Sequence, residues 1–264
     1  MAWEVLGNVL GISVPCSMRL SIDLNCDMGE GMPNDAAIMP FISSANIACG
    51  YHAGDDETIK DTIALCLQHH VAIGAHPGFD DKPNFGRTNM KLTSKELYDL
   101  VNLQLFIIDS ACRKQSAVMH HVKPHGALYN MAAKDETMSR TIAQAVFDFN
   151  PKLIYYGLSG SHMILQANLV GINTASEVFA DRTYQPDGSL TPRTENNALI
   201  ESEEKSLSQV MKMVKESKVV DVTGQPIQIK ADTICLHGDG AHAAAFASAI
   251  HHQLKSEGIK IKAL

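Results

Sequence analysis

One tryptophan in 264 residues, an aromatic share of 6% and the lack of any stretch of five basic residues set the first limits on this chain. With 22 Lys plus Arg against 29 Asp plus Glu, a formal charge of −7, the sequence argues against electrostatic binding of nucleic acid or of an anionic membrane. No apolar run approaches the ~18 residues of a membrane-spanning helix, so a soluble protein is expected. The six cysteines (Cys16, Cys26, Cys49, Cys66, Cys112 and Cys235) are scattered without a CxxC pair. That spacing favours reduced thiols in the cytoplasm over a disulfide framework. The chain also lacks GxxxxGK(S/T), HExxH and GxSxG, the signatures of P-loop nucleotide binding, zincin hydrolysis and the nucleophile elbow. Residues 1–17, MAWEVLGNVLGISVPCS, carry one charge, Glu4, and no basic leading region. They do not resemble a secretory signal and are expected to be an appendage, with the fold beginning near Met18.

Against these absences stands a hydrophobic content of 45%, enough for a full-sized core. Short β-rich apolar runs alternate with stretches of helical periodicity, the pattern of repeated β-α units around parallel strands. Seven strands are expected, at 20–25, 44–48, 71–75, 118–122, 152–156, 173–178 and 232–236. Ile59, Ile63, Cys66 and Leu67 form one helical stripe, and Leu97, Val101, Leu105, Ile108 and Cys112 form another. The second opens with Thr93 and Glu96 at the spacing of a capping box. Further core stripes run through Leu207, Val210, Met211 and Val214, and through Ala243, Phe246, Ala247, Ile250 and Leu254. Residues 181–198, DRTYQPDGSLTPRTENNA, have the turn chemistry of a long loop, and 219–229 that of a hairpin. Residues 18–264 are close to the roughly 250 residues of one β/α barrel, so a single domain of that kind is expected.

Nearly every expected strand is followed by ionisable or glycine-rich residues, and in parallel α/β folds the carboxyl ends of the strands converge on one face. DLNCDMGEG (23–31) brings Asn25, Asp27 and Glu30 together. Two such carboxylates suit a metal, acid-base work or a polar turn. ACGYHAGD (48–55) offers His52 as base or ligand, Asp55 as the N-cap of the next helix and Cys49 as a small buried residue. GAHPGF (74–79) sets His76 between turns, and FGR (85–87) supplies Arg87, suited to a carboxylate or to solvent. HHVKPHGALYN (120–130) holds Lys123, His125 and Tyr129, with one of His120 and His121 facing inward because strand residues alternate. EVFADRTY (177–184) adds Glu177, Asp181 and Arg182, and HGDGAHA (237–243) adds His237, Asp239 and His242, where glycine turns opening a helix suit an anion. His69, His70, His251 and His252 are expected at helix ends. The residues alone indicate a hydrolase or lyase with a pocket of histidines and carboxylates.

Taken in order, DLNCDMGEG, SANIACGYHAGD, GAHPGF, FGR, VKPHGALYN, EVFADRTY and HGD resemble the motif series of the LamB/YcsF family, from about Ser21 to Gly258. The resemblance implies a seven-stranded parallel β/α barrel, TIM-like and related to polysaccharide deacetylases. It also implies ATP-dependent opening of 5-oxoproline (pyroglutamate) to L-glutamate by a 5-oxoprolinase, in company with separate B and C subunits. For that reaction Asp27, Glu30, His52, Lys123 and His125 are the expected catalytic residues. His125 or His52 would be the general base, Asp27 or Glu30 would orient water, and Lys123 with Arg182 would stabilise oxyanion or phosphate charge. Asn25, His76, Arg87, Tyr129, Glu177, Asp181, Arg182, His237 and Asp239 are expected to bind substrate, with Arg87 or Arg182 on its carboxylate. With no ATP motif present, the nucleotide is expected mainly on a partner subunit; self-association stays open. The chain departs from the family pattern at Thr88, where a second arginine is usual, and at Gly240 and Ala241, where Asn or Thr and then proline are usual. Two other readings stand beside this one. The first is a metal-dependent amide hydrolase with Asp27, His52 and His76 on a divalent ion; the second is a non-catalytic lactam-binding or assembly subunit.

Overall fold

The computed structural model describes residues 21–237 and 243–264. The expected appendage lies outside the described residues, as do Asp239, Gly240, Ala241 and His242. In chain order the elements are β1 (Ser21–Met28), α1 (Asp35–Ile38), β2 (Ser44–Ala48), α2 (Asp56–His69), β3 (Ala72–His76), α3 (Ser94–Lys114), β4 (Met119–Val122), α4 (Gly126–Ala132), α5 (Glu136–Phe149) and β5 (Ile154–Leu158). They continue as α6 (His162–Val170), β6 (Asn173–Phe179), α7 (Glu203–Glu216), β7 (Lys218–Val220), β8 (Pro226–Gln228), β9 (Thr233–Leu236), α8 (Ala243–Ser256) and β10 (Lys260–Ile261). β1, β2, β3, β4, β5, β6 and β9 pair in that order, all parallel, and β9 returns to β1 to close a barrel. This is the TIM-like seven-stranded α/β fold that the strand pattern and the resemblance imply. β10 adds a short parallel pairing on the outer start of β1, and β7 with β8 forms the expected hairpin.

Local chemistry sets the helix boundaries. Asp55 accepts from the Thr58 amide at 2.8 Å, the N-cap expected for α2. Thr93 and Glu96 form the full capping box at the start of α3, whose Leu97, Val101, Leu105, Ile108 and Cys112 are buried. His70 takes a left-handed conformation as the C-cap of α2. His251 and His252 are a correction: α8 runs on to Ser256, because the apolar stripe continues to Leu254, so both lie within the helix and His251 Nδ1 donates to the Phe41 carbonyl at 2.8 Å. No helix among the described residues is long and apolar enough to cross a membrane.

The barrel interior is unusually polar. Asp23 accepts from the hydroxyls of Ser43 (2.6 Å), Ser44 (2.7 Å) and Thr233 (2.6 Å), and burial pushes its carboxyl above the ordinary range. Asn25 donates to Thr233 Oγ1 (2.6 Å) and Glu177 Oε1 (3.0 Å), while Asn46 donates to Asn25 Oδ1 (2.7 Å) and Asp27 Oδ1 (2.9 Å). A register shift between β3 and β4 at Ile73/Gly74 passes over His120 and turns His121 inward. There it stacks on Tyr156 with ring centroids 4.3 Å apart and donates through Nε2 to Asn46 Oδ1 at 2.8 Å. A Cβ at position 74 would stand 2.2 Å from His121 Nε2, so glycine is what admits the ring.

Candidate active site

The carboxyl ends of the barrel strands open on a cavity of about 840 Å³, walled in part by Asp27, Glu30, His76, Lys123, His125, Tyr129, Phe179, Arg182 and His237. Lys123, immediately after β4, is the hub of its floor. Its buried ammonium lies 2.8 Å from Asp27 Oδ1, 3.0 Å from Glu177 Oε1, 3.0 Å from Cys235 Sγ and 3.4 Å from Asn25 Oδ1. Burial disfavours that charge, but Asp27, Cys235 and Glu177 outweigh it and hold the lysine well above its ordinary range. Burial likewise works against ionised Asp27, and His76 and Lys123 prevail, holding its carboxyl well below the usual one. A buried ion pair of this kind relies on hydrogen bonding as well as on charge attraction.

Three imidazoles and Glu30 meet beside this hub. His76 Nδ1 lies 2.7 Å from the Lys123 carbonyl, and His125 Nε2 lies 2.9 Å from the Phe85 carbonyl. A carbonyl only accepts, so these nitrogens carry the protons and fix both tautomers. His76 Nε2 and His125 Nδ1 then face each other at 2.9 Å. Glu30 Oε1 lies 3.3 Å from His125 Nδ1, 3.3 Å from His52 Nε2 and 3.9 Å from His76 Nε2. His52 stacks parallel on His125, 3.7 Å between centroids. Gly78 and Gly86 make room for the stack: a Cβ at either would come within 2.7 Å of His52. Burial pushes His52 down to about 2 and His125 well below the usual imidazole range, with neighbouring imidazoles adding to both shifts.

Across the cavity, half-buried Asp181 accepts from the His237 amide (3.0 Å) and from its Nδ1 (2.9 Å). In the neutral ring the carboxylate thereby fixes the tautomer with the proton on Nδ1. Burial opposes the Asp181 charge, and His237 outweighs it to hold the carboxyl below its ordinary range. Tyr129 is 4% exposed and packs edge-on against Phe179, and its hydroxyl points toward Glu177 without a hydrogen bond of full geometry. Burial, then Glu177, pushes it well up, so it stays a donor.

The structure thus gathers Asn25, Asp27, Glu30, His52, His76, Lys123, His125, Tyr129, Glu177, Asp181 and His237 at one barrel end, but in different places. His52 is 1% exposed and stands behind His125, away from the cavity wall. Asn25 and Glu177 are fully buried beneath Lys123. Arg182 lines the cavity, yet its Nε donates to Ala198 O (3.3 Å) and its Nη2 to Thr191 O (2.6 Å), tying down the 181–198 loop. Arg87 lines the mouth with its guanidinium over the Phe85 ring, 4.8 Å from the centroid. Asn46, Cys235 and Arg193 are site residues that the motifs do not single out. Strand alternation places Asn46 in line with Ser44, and Cys235 in line with His237; Arg193 lies in an aperiodic loop, where no such signal exists.

Residues 22–264 match the LamB/YcsF family. The chain is 52% identical over 250 residues to the A subunit of 5-oxoprolinase from Staphylococcus haemolyticus, covering 93% of this chain and 100% of that one. Among solved structures, the lactam utilization protein from Thermus thermophilus superposes with a TM-score of 0.87 at 36% identity, over 92% of this chain and 100% of that one. A family 4 carbohydrate esterase from Streptomyces lividans, at 10% identity and a TM-score of 0.50 over 91% of each chain, shares the fold alone. The match over nearly the whole chain, with the strand-end motifs gathered at one barrel mouth, shows that the chain belongs to the LamB/YcsF family.

Proposed function

We propose that this chain is the A subunit of a 5-oxoprolinase, a hydrolase that opens the lactam of 5-oxoproline to L-glutamate, working in the cytoplasm with separate B and C subunits in a complex that consumes ATP. Relatives at about 50% identity are named as the A subunit of 5-oxoprolinase, and five buried free cysteines suit a reducing compartment. The observation that carries the reading is the Asp181–His237 pair, a histidine oriented by a half-buried carboxylate and facing the same cavity as Lys123. Both nitrogens of His125 are engaged and His52 is hidden, so the general base of this mechanism is His237 rather than either of them.

In the reaction, water attacks the ring carbonyl carbon and His237 Nε2 takes its proton. The new C–O bond forms, the C–N bond breaks, and the ring nitrogen receives the proton to become the amine of glutamate. Tyr129 donates to the lactam oxygen, its hydroxyl turning from Glu177, and the Lys123 charge favours the developing oxyanion. Arg182 shapes the wall by holding its loop, and Arg87 and Arg193, which also line the cavity, carry the guanidinium chemistry suited to the substrate carboxylate. ATP, bound mainly on a partner subunit, first transfers its γ-phosphoryl group to the lactam oxygen and leaves as ADP, making a poor electrophile attackable; C–N cleavage after water addition then gives the acyl phosphate of glutamate, which a second water hydrolyses to glutamate and inorganic phosphate. The test is glutamate formation from 5-oxoproline and ATP by the chain alone and by the chain with its candidate partners. Coupled turnover in the mixture is expected, and turnover by the partners without this chain would overturn the reading.

A further inference from the structure

We propose that Glu30, His52, His76 and His125 form a binding site for one divalent first-row metal ion of the zinc class. The positions of the ring protons come first. The Lys123 and Phe85 carbonyls take Nδ1–H of His76 and Nε2–H of His125, so in the neutral rings the two nitrogens that approach to 2.9 Å both present lone pairs. Glu30 Oε1, a third acceptor, is 3.3 Å from one of them and 3.9 Å from the other. Acceptors held this close in a buried pocket are bridged by a cation, either a proton between the two imidazoles or a metal ion among all the groups. The ligand atoms of the four residues all lie within 4.8 Å of one another. Donors around a four-coordinate zinc, at ~2.0–2.2 Å from the ion, are separated by roughly 3.3–3.6 Å. The separations of 2.9, 3.3, 3.3 and 3.9 Å straddle that range.

The surroundings agree. A ligating histidine commonly donates its other ring N–H to a backbone carbonyl or carboxylate, and His76 and His125 both do so here. Three imidazoles and one carboxylate suit zinc, cobalt or nickel better than magnesium or calcium. Asp27 is outside the set although its Oδ2 is 3.3 Å from His76 Nε2: its other oxygen is engaged by Lys123 and Asn46, and the ammonium already balances its charge. The ligand set therefore differs from the Asp27, His52 and His76 grouping expected from sequence. It does not rest on the lactam reading, since occupancy is measured without substrate.

The test is elemental analysis of the full chain, purified without chelator and without a polyhistidine tag. Chelator-treated protein is then titrated with Zn²⁺ and Co²⁺ by calorimetry and visible spectroscopy. About one equivalent per chain, rebinding at 1:1, and tetrahedral cobalt bands are expected. His76→Gln and His125→Gln should each lower retained metal at least tenfold, while Asp27→Asn should keep it. Wild-type chain with under about a tenth of an equivalent and no cobalt spectrum would overturn the site, whether or not the variants fold. Loss of metal in Asp27→Asn with retention in His125→Gln would overturn this ligand set.

Discussion

The lower barrel and its mouth are built from the same residue types, yet their hydrogen bonds differ in kind. Below, Asp23, Asn25, Asn46, His121 and Thr233 form a network in which each donor has an acceptor and each amide points one way. Above, the His76 and His125 rings meet nitrogen to nitrogen at 2.9 Å, the Tyr129 hydroxyl points toward Glu177 without a hydrogen bond of full geometry, and Asp181 holds one nitrogen of His237, which lines the cavity. Buried polar groups are normally satisfied because leaving one unpaired costs about 1–3 kcal/mol. The lower network is accordingly structural, and the mouth is where we place the ligand. Lys123 belongs to both, which is why its environment is the most crowded with opposite charge.

The sharpest way to break the comparison is at that shared residue. Lys123→Met leaves Asp27 and Glu177 buried without their cation, and should lower unfolding stability by about 3–5 kcal/mol in denaturant titration as well as abolishing turnover. His237→Ala should lower the coupled rate by roughly 10²–10⁴, the range for a general base, with the melting temperature little changed. Gly74→Ala acts on the lower network alone. Its Cβ would collide with the His121 ring, costing about 1–3 kcal/mol of stability, while the folded fraction keeps its kcat. Tyr129→Phe is the mildest: with no hydrogen bond of full geometry to lose, stability should hold, and kcat/KM should fall roughly tenfold.

Much of the barrel was legible because it repeats. All seven strands fall within three residues of where alternation and turn chemistry put them, and the Thr93–Glu96 spacing marks a helix start outright. The strand-end rule also finds the mouth, since Asp27, His76, Lys123 and His237 all follow β-runs. What sequence does not carry is the direction of each group within it. Whether His120 or His121 enters the barrel depends on a register shift at Gly74. The tautomers of His76 and His125 depend on carbonyls of residues 123 and 85, distant in sequence. Arg182 is suited to anions by type, but carbonyls 9 and 16 residues further on engage it. His52 is hidden behind His125 by a ring stack that no spacing reveals.

The most direct measurement is glutamate released from 5-oxoproline and ATP by the assembled complex, with this chain supplied as His237→Ala or as Gly74→Ala and the rate normalised to folded protein. A loss of at least about 10²-fold for the mouth variant, with a wild-type normalised rate for the barrel variant, is the predicted result. A mouth variant that turns over normally, or a barrel variant whose folded fraction is equally inactive, would contradict the division between the two regions.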